Sequence, residues 1–218
     1  MRELNIIDPV LRQPERGNGQ QGISPMDPPD AFAPPGLDGL APSDMHPFLQ
    51  ELTADHARLA SALDTVEAVI QSVAADGFSS QADHALMHFL QVFDQEFVRH
   101  SREEEARLFP LLHERLIADG EHSRGETITT SVNVMLDEHL KAVQLAAVVL
   151  NLLRLGTCLP DERSARLVIN VAFREATNLV ELLRLHMFRE DNIVFAAANR
   201  LIAVAELDAM RQAGVRSA

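Results

Sequence analysis

The sequence predicts an all-α fold: an up-down-up-down four-helix bundle with a short C-terminal helix and a disordered or extended N-terminal tail. Three observations carry this. From Asp44 onward apolar residues recur every three or four positions, with no strand-like alternation and no repeat at solenoid spacing. The helical stretches are long and their connections short, so neighbours in sequence should run antiparallel. Nine of the eleven prolines and five of the ten glycines lie at or before Pro47, which sets residues 1–45 apart as a tail and leaves 46–218 as one domain. The tail carries three arginines against seven acids. It cannot bury enough apolar surface to order itself, although such a segment can fold around a partner.

The elements follow in order. Helix one spans about 45–75 and is closed by Asp76-Gly77. Helix two starts at Ser79-Ser80, with Asp83 in its first turn, and reaches about 118. Its straight part is expected to end near Pro110, where proline lacks a donor and clashes with the preceding turn. Helix three starts after Gly125, near Thr127–Thr130, and ends at Gly156. Helix four opens on Pro160, Asp161 and Glu162 and runs to about 198. A terminal helix covers about 203–213.

Each long helix has a buried row, and each row is interrupted by polar residues. Helix one gives Leu49, Leu52, His56, Leu59, Leu63, Val66, Ile70 and Val73. Helix two gives Leu86, Leu90, Phe93, Phe97, His100, Glu104 and Leu108. Helix three gives Val132, Met135, His139, Val143, Ala146, Leu150 and Leu153. Helix four gives Ala165, Val168, Ala172, Ala176, Leu179, Leu183, His186, Glu190 and Val194. His100/Glu104 and His186/Glu190 are four apart, so each pair shares a face. Counted from the helix ends, all four histidines lie roughly 15–18 Å from one end of the bundle. They form one layer.

Composition narrows the function. The formal charge is −13, which argues against nucleic acid and against an anionic membrane surface. No apolar run reaches the length of a membrane span, and the N-terminus lacks a secretory signal, so a cytoplasmic protein is expected. The single cysteine, Cys158, rules out an internal disulfide and a thiolate metal cluster.

A lone histidine on an apolar face is ordinarily a core residue bonded to a carbonyl. Six polar groups in one layer are different, because each unpaired buried group costs about 1–3 kcal/mol and a charge more. Cations remove the difficulty, since imidazoles and carboxylates all donate electrons to a metal. The expected ligands are His56, His100, Glu104, His139, His186 and Glu190. Mixed imidazole and carboxylate ligands suit iron, with manganese and zinc next. Six ligands suit two metals: two histidines each, both glutamates bridging, and a bridging oxo or hydroxo group. Glu103 is the rival of Glu104, and Asp191 of Glu190.

The set His56, His100-Ser-Arg-Glu-Glu104, Glu138-His139 and His186-Met-Phe-Arg-Glu190 resembles the hemerythrin-like (HHE cation-binding) proteins, over about 46–198. The flanks Glu104-Glu105-Ala-Arg-Leu-Phe-Pro110 and Glu190-Asp191 also look like that family. The resemblance implies a non-haem di-iron site in a four-helix bundle with all six residues as ligands. Oxygen carriers of the family have a fifth histidine where this chain has Met135. The four-histidine, two-glutamate set is more similar to di-iron proteins of nitric-oxide stress and iron–sulfur-cluster repair, although the paired-cysteine module usual in repair proteins is missing here. The expected function is binding of a small diatomic ligand, nitric oxide or oxygen, in stress response or sensing. The alternatives are a peroxide- or nitric-oxide-converting enzyme, a role in iron homeostasis or iron–sulfur-cluster repair with the tail binding a protein partner, and a metal-free helical interaction module.

The remaining residues have plainer readings. His84 and His88 are surface or boundary residues, and His46, His113 and His122 are solvated. Asp55 and Glu138 are candidates to orient neighbouring ligands. Cys158 is an ordinary thiol in a connection. Phe89, Phe93 and Phe97 are core packing.

Overall fold

The computed structural model describes residues 41–76, 79–123 and 127–215. The expected tail up to residue 40, and the turns at Gly77 and Gly125, lie outside the described residues. After a 3-10 turn at Pro42–Asp44 come five helices. These are α1 (Pro47–Asp76), α2 (80–119), α3 (Ser131–Cys158), α4 (162–201) and α5 (Val204–Val215). Among the described residues there is no strand. The starts are fixed by side-chain caps: Ser79 accepts from the Ala82 N–H, Thr130 and Asn133 form a capping box, and Asp161 accepts from the Ser164 N–H. Gly120 closes α2 in the left-handed conformation, φ 85°.

Pairs between helices establish the topology. Along α1–α2, Asp55 meets Arg99 and Arg58 meets Glu96. Along α2–α3, His113 meets Thr130 and Glu105 meets His139. Along α3–α4, Glu138 meets His186 and Gly156 meets Ile169. Along α4–α1, Arg184 meets Asp64 and Asp191 meets His56. In each series one number rises as the other falls, so all four contacts are antiparallel. That is the expected up-down-up-down bundle.

Apolar packing divides into two clusters. One, built on Leu59, Phe93, Val149, Ala176 and their neighbours, fills one half of the bundle. The other, built on Met45, Leu52, Leu112, Met135 and Phe195, fills the opposite end, and α5 closes it through Leu207. His46 joins this closure instead of being solvated: its Nε2 lies 3.2 Å from Asp208, and its backbone N–H donates to Asn199 at 2.8 Å. Between the clusters every long helix changes from apolar to polar, at His56, at His100 and Glu104, at His139, and at His186 and Glu190.

Two helices are not uniformly α. α2 contains π turns at Phe93–Val98 and Glu104–Leu108, and α4 contains one at Glu190–Val194. Their rows explain this. Steps of four residues, as in Glu104, Leu108, Leu112 and Leu116, advance about 40° per step around an α-helix. A wider i→i+5 turn absorbs the drift and keeps the row facing inward. The π turn also explains why Pro110 does not end its segment. Pro110 is the second residue of Phe109–Asp119, just after the widened turn, and the helix continues.

α3 has no π turn, and there the expected row slips. Val143 is exposed and Leu150 half-buried, while Ala142, Val149 and Leu153 carry the buried row. In α4, Ile169 rather than Val168 is buried. Gly156 does not end α3 either; a Cβ there would stand 2.7 Å from Ile169 Cγ1, so the glycine permits the close approach of α3 and α4. α3 is the one described helix long and apolar enough to cross a membrane, but its inner face carries Glu138 and His139 into the polar layer.

Candidate metal centre

The polar layer brings all six sequence-predicted residues together. His56, His100, His139 and His186 are buried, and Glu104 and Glu190 are 0% exposed. The rivals lie elsewhere. Glu103 is half-buried and reaches Arg99, and Asp191 points at the far side of the His56 ring.

All four histidines turn Nε2 inward. Glu190 spans them with its two oxygens. Oε2 lies 3.0 Å from His56 and 3.6 Å from His100, while Oε1 lies 3.2 Å from His186 and 3.8 Å from His139. Glu104 Oε2 sits between His100 and His139, at 3.3 and 3.4 Å. The donors form two groups that share Glu190: His56, His100 and Glu190, and Glu104, His139, His186 and Glu190. Close as they are, none of the four oxygens of Glu104 and Glu190 receives a well-directed hydrogen bond, and the Nε2 atoms of His139 and His186 also lack one. Buried polar atoms are nearly always paired. His56 and His100 even set Nε2 against Nε2, at 3.1 Å. Imidazole nitrogens and carboxylate oxygens crowded together in this way are what a cation would complete, so these residues fit the group they are expected to hold.

Each Nδ1 is turned outward toward a carboxylate. His56 faces Asp191 at 2.9 Å, His100 faces Asp55 at 3.5 Å, His139 faces Glu105 at 2.8 Å and His186 faces Glu138 at 3.1 Å. In every case the acid adjoins a ligand candidate on one helix and serves a histidine on the next, so the four contacts close a ring around the bundle. Asp55 and Glu138 were legible in the sequence from their place beside histidines. Glu105 and Asp191 are less legible there, although each directly follows a buried glutamate. Two of the acids are held by arginine, Asp55 by Arg58 and Arg99, and Glu138 by the buried Arg189. The other two are partly exposed to solvent.

Aromatic rings complete the walls. His56 stacks on Phe195 and His139 on Phe109, with centroids 5.7 and 5.6 Å apart. Phe97 stands edge-on to both His139 and His186, so it belongs to the site as well as to the core.

The layer is strongly polarised in the absence of a cation. Burial opposes charge on His56, but Asp191 and Glu190 outweigh it and raise the ring to about 9. Burial is likewise overcome at His139, which Glu104 and Glu190 raise to about 10. His100 and His186 are also raised, against burial, by their glutamates and orienting acids. Glu190 is held well below the usual carboxylate range, against burial, by His186, His100 and His139. A metal cation held by these Nε2 atoms would therefore compete with protons for them.

A family model described as the hemerythrin HHE cation binding domain matches residues 47–198. No curated protein matches the chain.

Proposed function

The chain belongs to the hemerythrin HHE cation-binding domain family, and from that premise we propose that it is a non-haem di-iron protein of the cytoplasm. It binds a small reactive molecule, nitric oxide before oxygen, in nitrosative or oxidative stress response or sensing. The observation that supports two metals is the sharing of Glu190 between two donor groups, with one oxygen turned to each histidine pair. His56 and His100 would hold one iron, His139 and His186 the other, with Glu190 and Glu104 between them. Iron is favoured by the mixed nitrogen and oxygen donors and the lack of thiolate. When bound it would supply one-electron redox chemistry and affinity for diatomic ligands.

The chain's own part is positioning and exclusion. Asp55, Glu105, Glu138 and Asp191 fix the rings so that the Nε2 lone pairs aim inward. Phe97, Phe109 and Phe195 wall the layer with apolar surface, which suits an uncharged diatomic molecule and keeps bulk water out. Met135, one turn before His139, is fully buried and offers no imidazole, which favours nitric oxide over reversible oxygen carriage.

Protein purified without oxygen should contain one iron per donor group, two per chain. Stoichiometric nitric oxide should then change its absorption spectrum. A di-iron protein whose spectrum nitric oxide leaves unmoved would end this reading of the ligand, and a chain that takes up no iron would end the metal reading itself.

A further inference from the structure

α3 is apolar on two faces. Its inner row packs into the bundle, but Leu136, Leu140, Val143 and Ala147 are all exposed, Leu140 by 60%. Half-buried Leu150 and exposed Arg154 continue the line. The steps are four, three, four, three and four, the spacing of a helix-pairing seam about 27 Å long. A contiguous apolar stripe of this kind marks a surface that takes a partner.

The charges at its ends select the partner. Asp137 and Arg154 are exposed, and neither forms an ion pair among the described residues. Two copies of α3 laid antiparallel about a two-fold axis set Val143 against Ala147 of the second copy and Leu140 against Leu150. In the same register Arg154 falls opposite Leu136 of the other copy, next to its Asp137, at both ends at once. A parallel pair would instead set arginine against arginine and aspartate against aspartate. A lipid surface is a poorer occupant, because the chain carries a formal charge of −13.

We propose that this face of α3 is the interface of a two-fold, antiparallel dimer of the chain, with Leu136, Leu140, Val143 and Ala147 as its seam and Asp137–Arg154 pairs closing its ends. The inference concerns a surface outside the metal layer and does not depend on which ligand that layer binds.

Sedimentation of the full-length, metal-loaded chain over about 1 to 100 µM tests it. A monomer–dimer equilibrium is expected. Val143→Glu should raise the dissociation constant by about tenfold or more, with helical content and metal content unchanged. Asp137→Arg alone should weaken the dimer, and Asp137→Arg with Arg154→Asp should restore it to within about threefold. The charge pair keeps the test decisive if Val143→Glu fails to fold. A monomer throughout the range overturns the proposal, whether residues 1–40, another protein or lipid then covers the face. A dimer indifferent to Val143→Glu, or one that the double reversal does not restore, overturns it equally.

Discussion

Glu138 Oε2 lies 3.1 Å from His186 Nδ1, across the boundary between α3 and α4. The acid beside one histidine thus orients another. The same relation holds between Asp55 and His100, one hairpin earlier. The two halves of the bundle repeat each other throughout the layer. Asp55-His56 on α1 answers Glu138-His139 on α3, and His100 with Glu104-Glu105 answers His186 with Glu190-Asp191. Phe109 and Phe195 each follow the buried glutamate by five residues and stack on a histidine of another helix. The residues therefore have an approximate two-fold arrangement, which the glutamates break: Glu190 reaches all four histidines and Glu104 only His100 and His139.

Glu190 should matter more than any single histidine for holding metal. It belongs to both donor groups, whereas His186 belongs to one. Glu190→Ala should abolish binding of both cations. His186→Ala should leave the group of His56, His100 and Glu190 able to retain one. Metal content per folded chain checks this; equal losses in the two variants would contradict the sharing.

The four orienting acids should separate by their surroundings. Glu138 also pairs with the buried Arg189, so Glu138→Ala leaves a buried charge unpaired and should cost about 3–5 kcal/mol. Glu105 is partly exposed and has no arginine partner among the described residues. Glu105→Ala should cost below about 1 kcal/mol. Both should weaken metal binding, by about 10- to 100-fold, because each frees a histidine ring. Urea unfolding of the metal-free variants and metal titration of the folded ones measure the two effects separately.

The metal-free chain should lose stability in alkali. His56 and His139 are raised to about 9 and about 10 from an ordinary 6.5. A raised folded-state pKa contributes stability that is fully present below 6.5 and is lost as pH rises through about 9 to 10. Glu190 acts in the opposite direction: its contribution is present above 4.5 and is lost as pH falls through its lowered value. Metal bound at Nε2 would replace the protons there, so the loaded protein should lack the alkaline decline, and uptake near neutrality should release protons. Thermal midpoints across pH, with and without metal, test both statements. A metal-free midpoint that stays level up to pH of about 10 would contradict the first.

Gly156 should resist enlargement. A side chain there meets Ile169 at once, so Gly156→Leu should destabilise by about 1–3 kcal/mol through overpacking. Ile169→Ala in the same chain should recover part of that loss. If the two substitutions are simply additive in denaturant unfolding, the contact between α3 and α4 is not what the glycine serves.

The sequence by itself determined the bundle, its topology and the six residues of the layer. Periodicity records which side of a helix is buried, and a polar residue inside an apolar row is conspicuous without coordinates. The same signal chose Glu104 over Glu103 and Glu190 over Asp191. Tertiary structure alone decided three further matters. Steps of four are read identically whether a helix widens or drifts, so the π turns of α2 and α4, and the outward turn of Val143 in unwidened α3, came only with the fold. Gly156 reads as a helix stop until Ile169 of the next helix stands against it. Glu105 and Asp191 look like surface acids in one dimension, because the histidines they hold lie on other helices, and only the packing of the four together turns each Nδ1 toward its carboxylate.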